Sequence, residues 1–100
     1  MSMSSYYNRF GEEITVEEWG RLADDLKYKR VAETNLPDGK WVSTVWLGLN
    51  HSFNDKDYPI IFETMVFPSQ GNYTEIYCDR YHTELEAIFG HIKAVRTIHH

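Results

Sequence analysis

Two stretches of the chain, one near each end, carry apolar residues at helical spacing. The N-terminal stretch consists of Val16, Trp19, Leu22, Ala23 and Leu26. The C-terminal stretch consists of Leu85, Ile88, Phe89, Ile92 and Val95. Thr15 with Glu18, and Thr83 with Glu86, have the spacing of a capping box, which marks the start of a helix. The sequence therefore predicts a helix over residues 16–27 and another after Thr83, each burying its apolar residues.

Four segments between the predicted helices are rich in β-branched and aromatic residues, which favour strands. They cover residues 29–35, 40–50, 60–67 and 73–81. A Leu-Pro-Asp-Gly turn at residues 36–39 separates the first two, and short connections make neighbouring strands antiparallel. The sequence thus predicts one α+β domain over residues 1–100, with a polar tail at 1–5. Its four-stranded antiparallel meander sheet would carry an N-terminal and a C-terminal helix.

Alternation along the predicted strands sorts their side chains into two faces. The simplest assignment places Val45 and its aliphatic neighbours under the helices and leaves Trp46, Tyr77 and Tyr81 on a face that the helices do not cover. In the alternative, residues 6–14 fold across that face and Trp46 is ordinary core. The third strand is apolar on both sides, which indicates that the N-terminal arm, another subunit or a partner covers the second face.

Composition and charge narrow the classes of function. Hydrophobic residues make up 42% of the chain and charged residues 25%, which is typical of a globular domain. The net charge of −5 disfavours binding to nucleic acid. Cys78 is the one cysteine, so no internal disulfide can form and a reducing compartment is expected. With no signal peptide and no apolar run of membrane-spanning length, we expect a cytoplasmic protein without a membrane partner.

Glu63 is the first candidate for chemistry, because it is a carboxylate within an apolar strand. Such a group must find a partner or shift its pKa, and Arg80 and His91 are the candidate partners. One interpretation is a structural ion pair or hydrogen bond between strand and helix. The alternative is a small enzyme in which Glu63 works with His51 or His91 as acid and base.

Other chemistry has weaker support in the sequence. No hydrolase, kinase, nucleotide-binding or zinc signature is present, so no cofactor and no metal is expected. Asp55 and Asp57 have the spacing of a calcium loop, but the rest of that pattern is missing. His99 and His100 end the chain in the manner of a purification-tag remnant. A further alternative is binding of single-stranded nucleic acid on an aromatic sheet face rimmed by lysine and arginine.

Several runs of the sequence resemble a group of small uncharacterised proteins of bacteriophages, prophages and some bacterial genomes. The resemblance lies in residues 41–53, which contain Thr-Val-Trp-Leu-Gly, in residues 61–67, Ile-Phe-Glu-Thr-Met-Val-Phe, and in residues 80–91. The turn around Arg9 ahead of Trp19 is also similar. The resemblance implies a phage context, with the host cytoplasm as location, and assigns no catalytic residues.

These observations favour a small phage-associated accessory protein that acts by binding a host or phage protein. Inhibition of a host factor, such as a defence system, is one concrete form, and a homodimer is a further possibility. The candidate binding residues are Trp46, His51, Glu63, Tyr77, Arg80, Tyr81 and His91.

Overall fold

The chain runs through three helices and four strands in the computed structural model, which describes residues 5–50 and 58–99. The elements are α1 (Val16–Ala23), α2 (Leu26–Lys29), β1 (Arg30–Asn35), β2 (Trp41–Trp46), β3 (Phe62–Phe67), β4 (Tyr77–Tyr81) and α3 (Glu84–His99). All neighbouring strands are antiparallel, and their order in the sheet is β1-β2-β3-β4. The predicted α+β fold with a four-stranded meander is therefore confirmed.

The predicted N-terminal helix over residues 16–27 is two helices. α1 ends at Ala23, and α2 begins at Leu26. The break lies at Asp25, whose carboxylate accepts hydrogen bonds from the backbone amides of Lys27 (3.0 Å) and Tyr28 (3.4 Å). A short carboxylate that caps the next turn competes with helix continuation, and apolar periodicity does not reveal this competition.

Both predicted helix starts carry the expected cap. The Thr15 hydroxyl accepts a hydrogen bond from the Glu18 amide at 3.1 Å, although the Glu18 carboxylate lies near Arg21 instead of reaching back. At Thr83 the capping box is complete. The Thr83 hydroxyl accepts from the Glu86 amide, and the Glu86 carboxylate accepts from the Thr83 amide, both at 3.1 Å. The N-terminus of α3 is therefore fixed by side chains that the sequence identifies.

α3 covers one face of the sheet, and that face is the one that carries Trp46. Val42, Thr44 and Trp46 alternate along β2 and have no exposed surface, and Val42 packs in one cluster with Ala94 of α3. The expectation that helices cover the aliphatic set and leave Trp46 and Tyr81 uncovered is therefore wrong. The physical reason is that α3 turns small residues towards the sheet, which leaves room for large rings beneath it.

The N-terminal arm closes the core at the Trp46 end of the sheet. Tyr7 is buried in the same cluster as Trp46, and its carbonyl accepts a hydrogen bond from Trp46 Nε1 at 3.0 Å. Tyr28 of α2 packs edge-on against the Trp46 ring, with centroids 4.9 Å apart. Trp46 is thus core, as the alternative interpretation of the sequence held.

Candidate functional site

The sheet face opposite α3 carries no helix along β2, β3 and β4 within the described part of the chain. Strand alternation and register assign its side chains. This open sheet face is formed by Glu33, Asn35, Trp41, Ser43, Val45, Glu63, Met65, Phe67, Cys78 and Arg80. α1 reaches only one end of the face, where Trp19 Nε1 donates a hydrogen bond to the Leu47 carbonyl at 2.9 Å.

Three aromatic rings cluster at the other end of the open sheet face. Phe67 lies between Trp41, at a centroid distance of 5.3 Å, and Tyr73, at 5.7 Å. Tyr73 is 73% exposed and forms the outer layer of the cluster. Phe67, by contrast, is almost fully buried beneath its two neighbours. The cluster is therefore a rigid aromatic platform on the surface, because its central ring is held on both sides.

Glu63 lies on the open sheet face, where its carboxylate pairs with Arg80. Arg80 Nε donates to Glu63 Oε2 at 2.9 Å, and the carboxylate is largely shielded from solvent, whereas Arg80 is half exposed. The same pair raises the pKa of the Arg80 guanidinium, chiefly through the hydrogen bond with Glu63. Of the two partners predicted for Glu63, Arg80 is the one that contacts it in the structure.

Cys78 adjoins this pair without being activated by it. Its thiol lies 3.7 Å from Glu63 Oε2, to which it can donate. Burial, reinforced by the negative charge of Glu63, raises the pKa of Cys78 to about 11. The thiol therefore stays protonated at neutral pH, and a protonated thiol is a poor nucleophile.

His91 lies on the other side of the sheet from Glu63. Its ring nitrogens are hydrogen-bonded to two hydroxyls, with Nε2 2.8 Å from Thr34 Oγ1 and Nδ1 2.8 Å from Thr44 Oγ1. Burial lowers its pKa. The structure therefore does not assemble an acid–base pair of Glu63 and His91. His51, the other partner considered for Glu63, lies outside the described residues, as do Asp55 and Asp57.

The remaining predicted site residues do not form an exposed aromatic surface. Trp46 is fully buried, Tyr81 is 8% exposed, and Tyr77 is half-buried beside the cluster that holds Val66 and Ala94. An aromatic surface for stacking bases therefore does not exist at these three residues. These three rings lie on the sheet face that α3 covers, whereas alternation along the predicted strands places them on the uncovered face.

A second apolar surface lies on the outside of α3. Leu85, Ile88, Phe89 and Ile92, named here the α3 stripe, are 62%, 39%, 63% and 47% exposed. The prediction that the helix buries these four residues together with Val95 is wrong for the four, whereas Val95 is half-buried against the cluster that holds Val42 and Ala94. α3 instead buries its small residues and His91 against the sheet; its buried residues are Ala87, Gly90, His91 and Ala94. The signal that could have revealed this is the small-residue set, which recurs at helical spacing opposite the stripe.

A cavity of about 500 Å³ lies between the N-terminal turn and the start of α3. Arg9 forms part of its wall, but its guanidinium is already hydrogen-bonded within the protein. It pairs with Glu84 through Nε (2.9 Å) and Nη2 (2.7 Å), and Nη1 donates to the Tyr28 carbonyl at 2.9 Å. The cation therefore serves to hold the N-terminal arm to α2 and α3.

No protein-family model, curated protein or solved structure matches this chain. Among the described residues, no group of three or more His, Cys, Asp or Glu side chains could hold a metal ion. No helix in that part of the chain is long and apolar enough to cross a membrane. Two surfaces of the described residues stand out, the open sheet face with its aromatic cluster and the apolar α3 stripe.

Proposed function

We propose that this protein acts by binding another protein through its open sheet face. The observation that carries the proposal is the Trp41–Phe67–Tyr73 platform, on a sheet face over which no helix of residues 5–50 and 58–99 lies. In the phage context that the sequence resemblance implies, the protein is an accessory factor. It docks on a host or phage protein, and inhibition of a host defence factor is one form of this activity.

The chemistry of the face favours a protein as the ligand. Tryptophan, tyrosine, phenylalanine and methionine are enriched at protein interfaces, where rigid rings bury much area at low entropic cost. Met65 lies next to Phe67 along β3 and extends the platform towards the middle of the sheet. Its flexible thioether can adapt to the shape of a partner.

The charges on the face also favour a protein over nucleic acid. Arg80 pairs with Glu63, and Arg30 pairs with Glu33 at 3.0 Å on the edge of the sheet. Because Arg80 and Arg30 already have a carboxylate beside them, they offer little positive potential to a phosphate backbone. Paired charges around an apolar centre are typical of the rim of a protein interface.

Site-specific photo-crosslinking tests the proposal. A benzophenone amino acid replaces Tyr73 in one variant and Phe10, an 85% exposed ring outside the face, in the control. Expressed in the bacterial host, the Tyr73 variant is expected to crosslink a protein that the Phe10 variant does not. That protein is then purified and titrated with the unlabelled chain.

The titration decides the outcome. Tyr73→Ala and Ser43→Lys, which remove a ring and add a charge on the face, are each expected to weaken binding by about tenfold or more. Phe10→Ala is expected to leave affinity within about twofold. Circular dichroism of each variant is the control for folding. Binding that is unchanged by both face substitutions would exclude the open sheet face as the docking site.

A further inference from the structure

The α3 stripe has the residue pattern of a buried helix face, but it is exposed. Leu85, Ile88, Phe89 and Ile92 follow the i, i+3, i+4, i+7 pattern of a helix face made for burial. All four are large apolar residues, and each is at least 39% exposed. Single exposed apolar residues are common, but a continuous stripe along two turns marks an interaction surface.

The inward face of α3 explains why the stripe cannot be satisfied within the monomer. A Cβ at Gly90 would overlap the Tyr81 ring, so the helix lies as close to the sheet as the backbone permits. Ala87 and Ala94, one turn to either side, are fully buried and keep the same close approach. Rotating α3 to bury Leu85 or Phe89 would place a large side chain where only a hydrogen atom fits.

The charges along α3 identify the occupant. Of the two carboxylates in its first turn, Glu84 is paired with Arg9, so Glu86 forms the acidic end, whereas its second half contains Lys93 and Arg96. Neither cation has an acidic partner among the described residues. A surface that is acidic at one end and basic at the other is complementary to itself when two copies run antiparallel. In a parallel pair, like charges would face each other along the whole helix.

Residue spacing gives the register of such a pair. Glu86 and Lys93 are seven residues apart, so both lie on the same flank of the stripe, about two turns from each other. In an antiparallel pair with its two-fold axis near Phe89, Glu86 of each copy faces Lys93 of the other. The capping contacts of Glu86 are made through Oε1, which leaves Oε2 available for this pair.

We infer that this protein forms a two-fold symmetric homodimer in which α3 packs antiparallel against α3 of a second copy through the α3 stripe. This interface uses a different surface from the open sheet face, so it stands independently of the proposed function. A 16-residue helix is about 24 Å long, which gives a smaller contact than a standard interface. The dimer is therefore expected to dissociate in the micromolar range, around 1–50 µM.

Sedimentation equilibrium of the full chain over roughly 1–200 µM, a range that brackets this dissociation constant, tests the association. The wild-type chain is expected to pass from monomer to dimer. Phe89→Glu is expected to raise the dissociation constant by about 30-fold or more, because it places a charge at the centre of the interface. Phe10→Glu, at another highly exposed phenylalanine, is the matched control and should dimerise like the wild type. A wild-type chain that stays monomeric, or a Phe89→Glu variant that dimerises normally, would overturn the inference.

Disulfide crosslinking in a Cys78→Ser background tests the orientation. In the antiparallel register with Glu86 facing Lys93, position 85 of one copy lies within about 3 Å, along the axis, of position 92 of the other and about 13 Å from its own equivalent. A mixture of Leu85→Cys and Ile92→Cys chains is therefore expected to crosslink on oxidation, whereas Leu85→Cys chains alone are not. Efficient crosslinking of Leu85→Cys alone would show a parallel pair and refute the antiparallel arrangement.

Tyr73→Ala should dimerise normally, which separates this result from failure of the proposed function.

Discussion

Gly90 sets the distance between α3 and the sheet. Alanine is favoured over glycine inside a helix by about 1 kcal/mol, so propensity alone predicts that Gly90→Ala stabilises the protein. The structure predicts the opposite, because the added Cβ would meet the Tyr81 ring within the core. We expect Gly90→Ala to lower the free energy of unfolding by about 1–3 kcal/mol, the usual cost of overpacking, as measured by urea denaturation.

Gly20 provides the matched control for this substitution. It lies within α1, and a Cβ built there has no atom within 4 Å. Gly20→Ala should therefore follow propensity and raise the free energy of unfolding by up to about 1 kcal/mol. If Gly90→Ala behaved like Gly20→Ala, the close contact between α3 and Tyr81 would not exist in solution.

At the scale of elements, His91 joins α3 to two strands through Thr34 of β1 and Thr44 of β2. Burial lowers the pKa of His91, so the folded protein holds the ring neutral. The unfolded chain takes up a proton at the ordinary histidine pKa of about 6.5. As the pH falls below about 6.5, the unfolded state gains a proton that the folded state resists, and stability falls until the pH reaches the folded pKa.

His91→Gln isolates this effect, because glutamine keeps a hydrogen-bonding side chain but does not titrate. Between about pH 7.5 and pH 5.5, a window around the ordinary histidine pKa, the wild type is expected to lose more unfolding free energy than the variant. Urea denaturation at both pH values measures the difference. All other residues are the same in both proteins, so their contributions cancel in the comparison. Equal pH dependence in the two proteins would mean that His91 is not held neutral by the fold.

The sequence predicts which elements form better than it predicts which of their faces are buried. Both helix caps and the Pro-Asp-Gly turn depend on local hydrogen bonds, so they can be recognised from residue type. The orientation of α3 depends on a competition between two surfaces. The stripe of Leu85 and Phe89 resembles a buried face, but the adjacent sheet accepts only the small face around Gly90. That constraint comes from Tyr81, which belongs to another element and cannot be located without the fold.

The same limitation affected the candidate site. In β2, the alternating set that contains Val45 and the set that contains Trp46 are both apolar enough to be core. Alternation alone therefore cannot tell which of the two sets is buried. Glu63 was recognised correctly as a residue that needs a partner, since a shielded carboxylate is costly wherever the strand lies. Alternation along β4 cannot locate the Trp41–Tyr73 platform, because Tyr73 lies outside β4, in the connection after β3.

For the whole molecule, the α3 stripe and the aromatic platform lie on opposite sides of the sheet, since α3 packs on one face and the platform occupies the other. A dimer through the α3 stripe would therefore leave both platforms accessible.

Because dimerisation couples to folding by mass action, the melting temperature of the wild type should rise with protein concentration. Once the chain is dimeric, a hundredfold increase is expected to raise it by about 5 °C. Phe89→Glu should melt at one temperature across the same range, whereas Tyr73→Ala should keep the concentration dependence of the wild type. Differential scanning fluorimetry at matched concentrations makes the comparison. A wild-type melting temperature independent of concentration would contradict the dimer without bearing on the platform, which the monomer presents equally well.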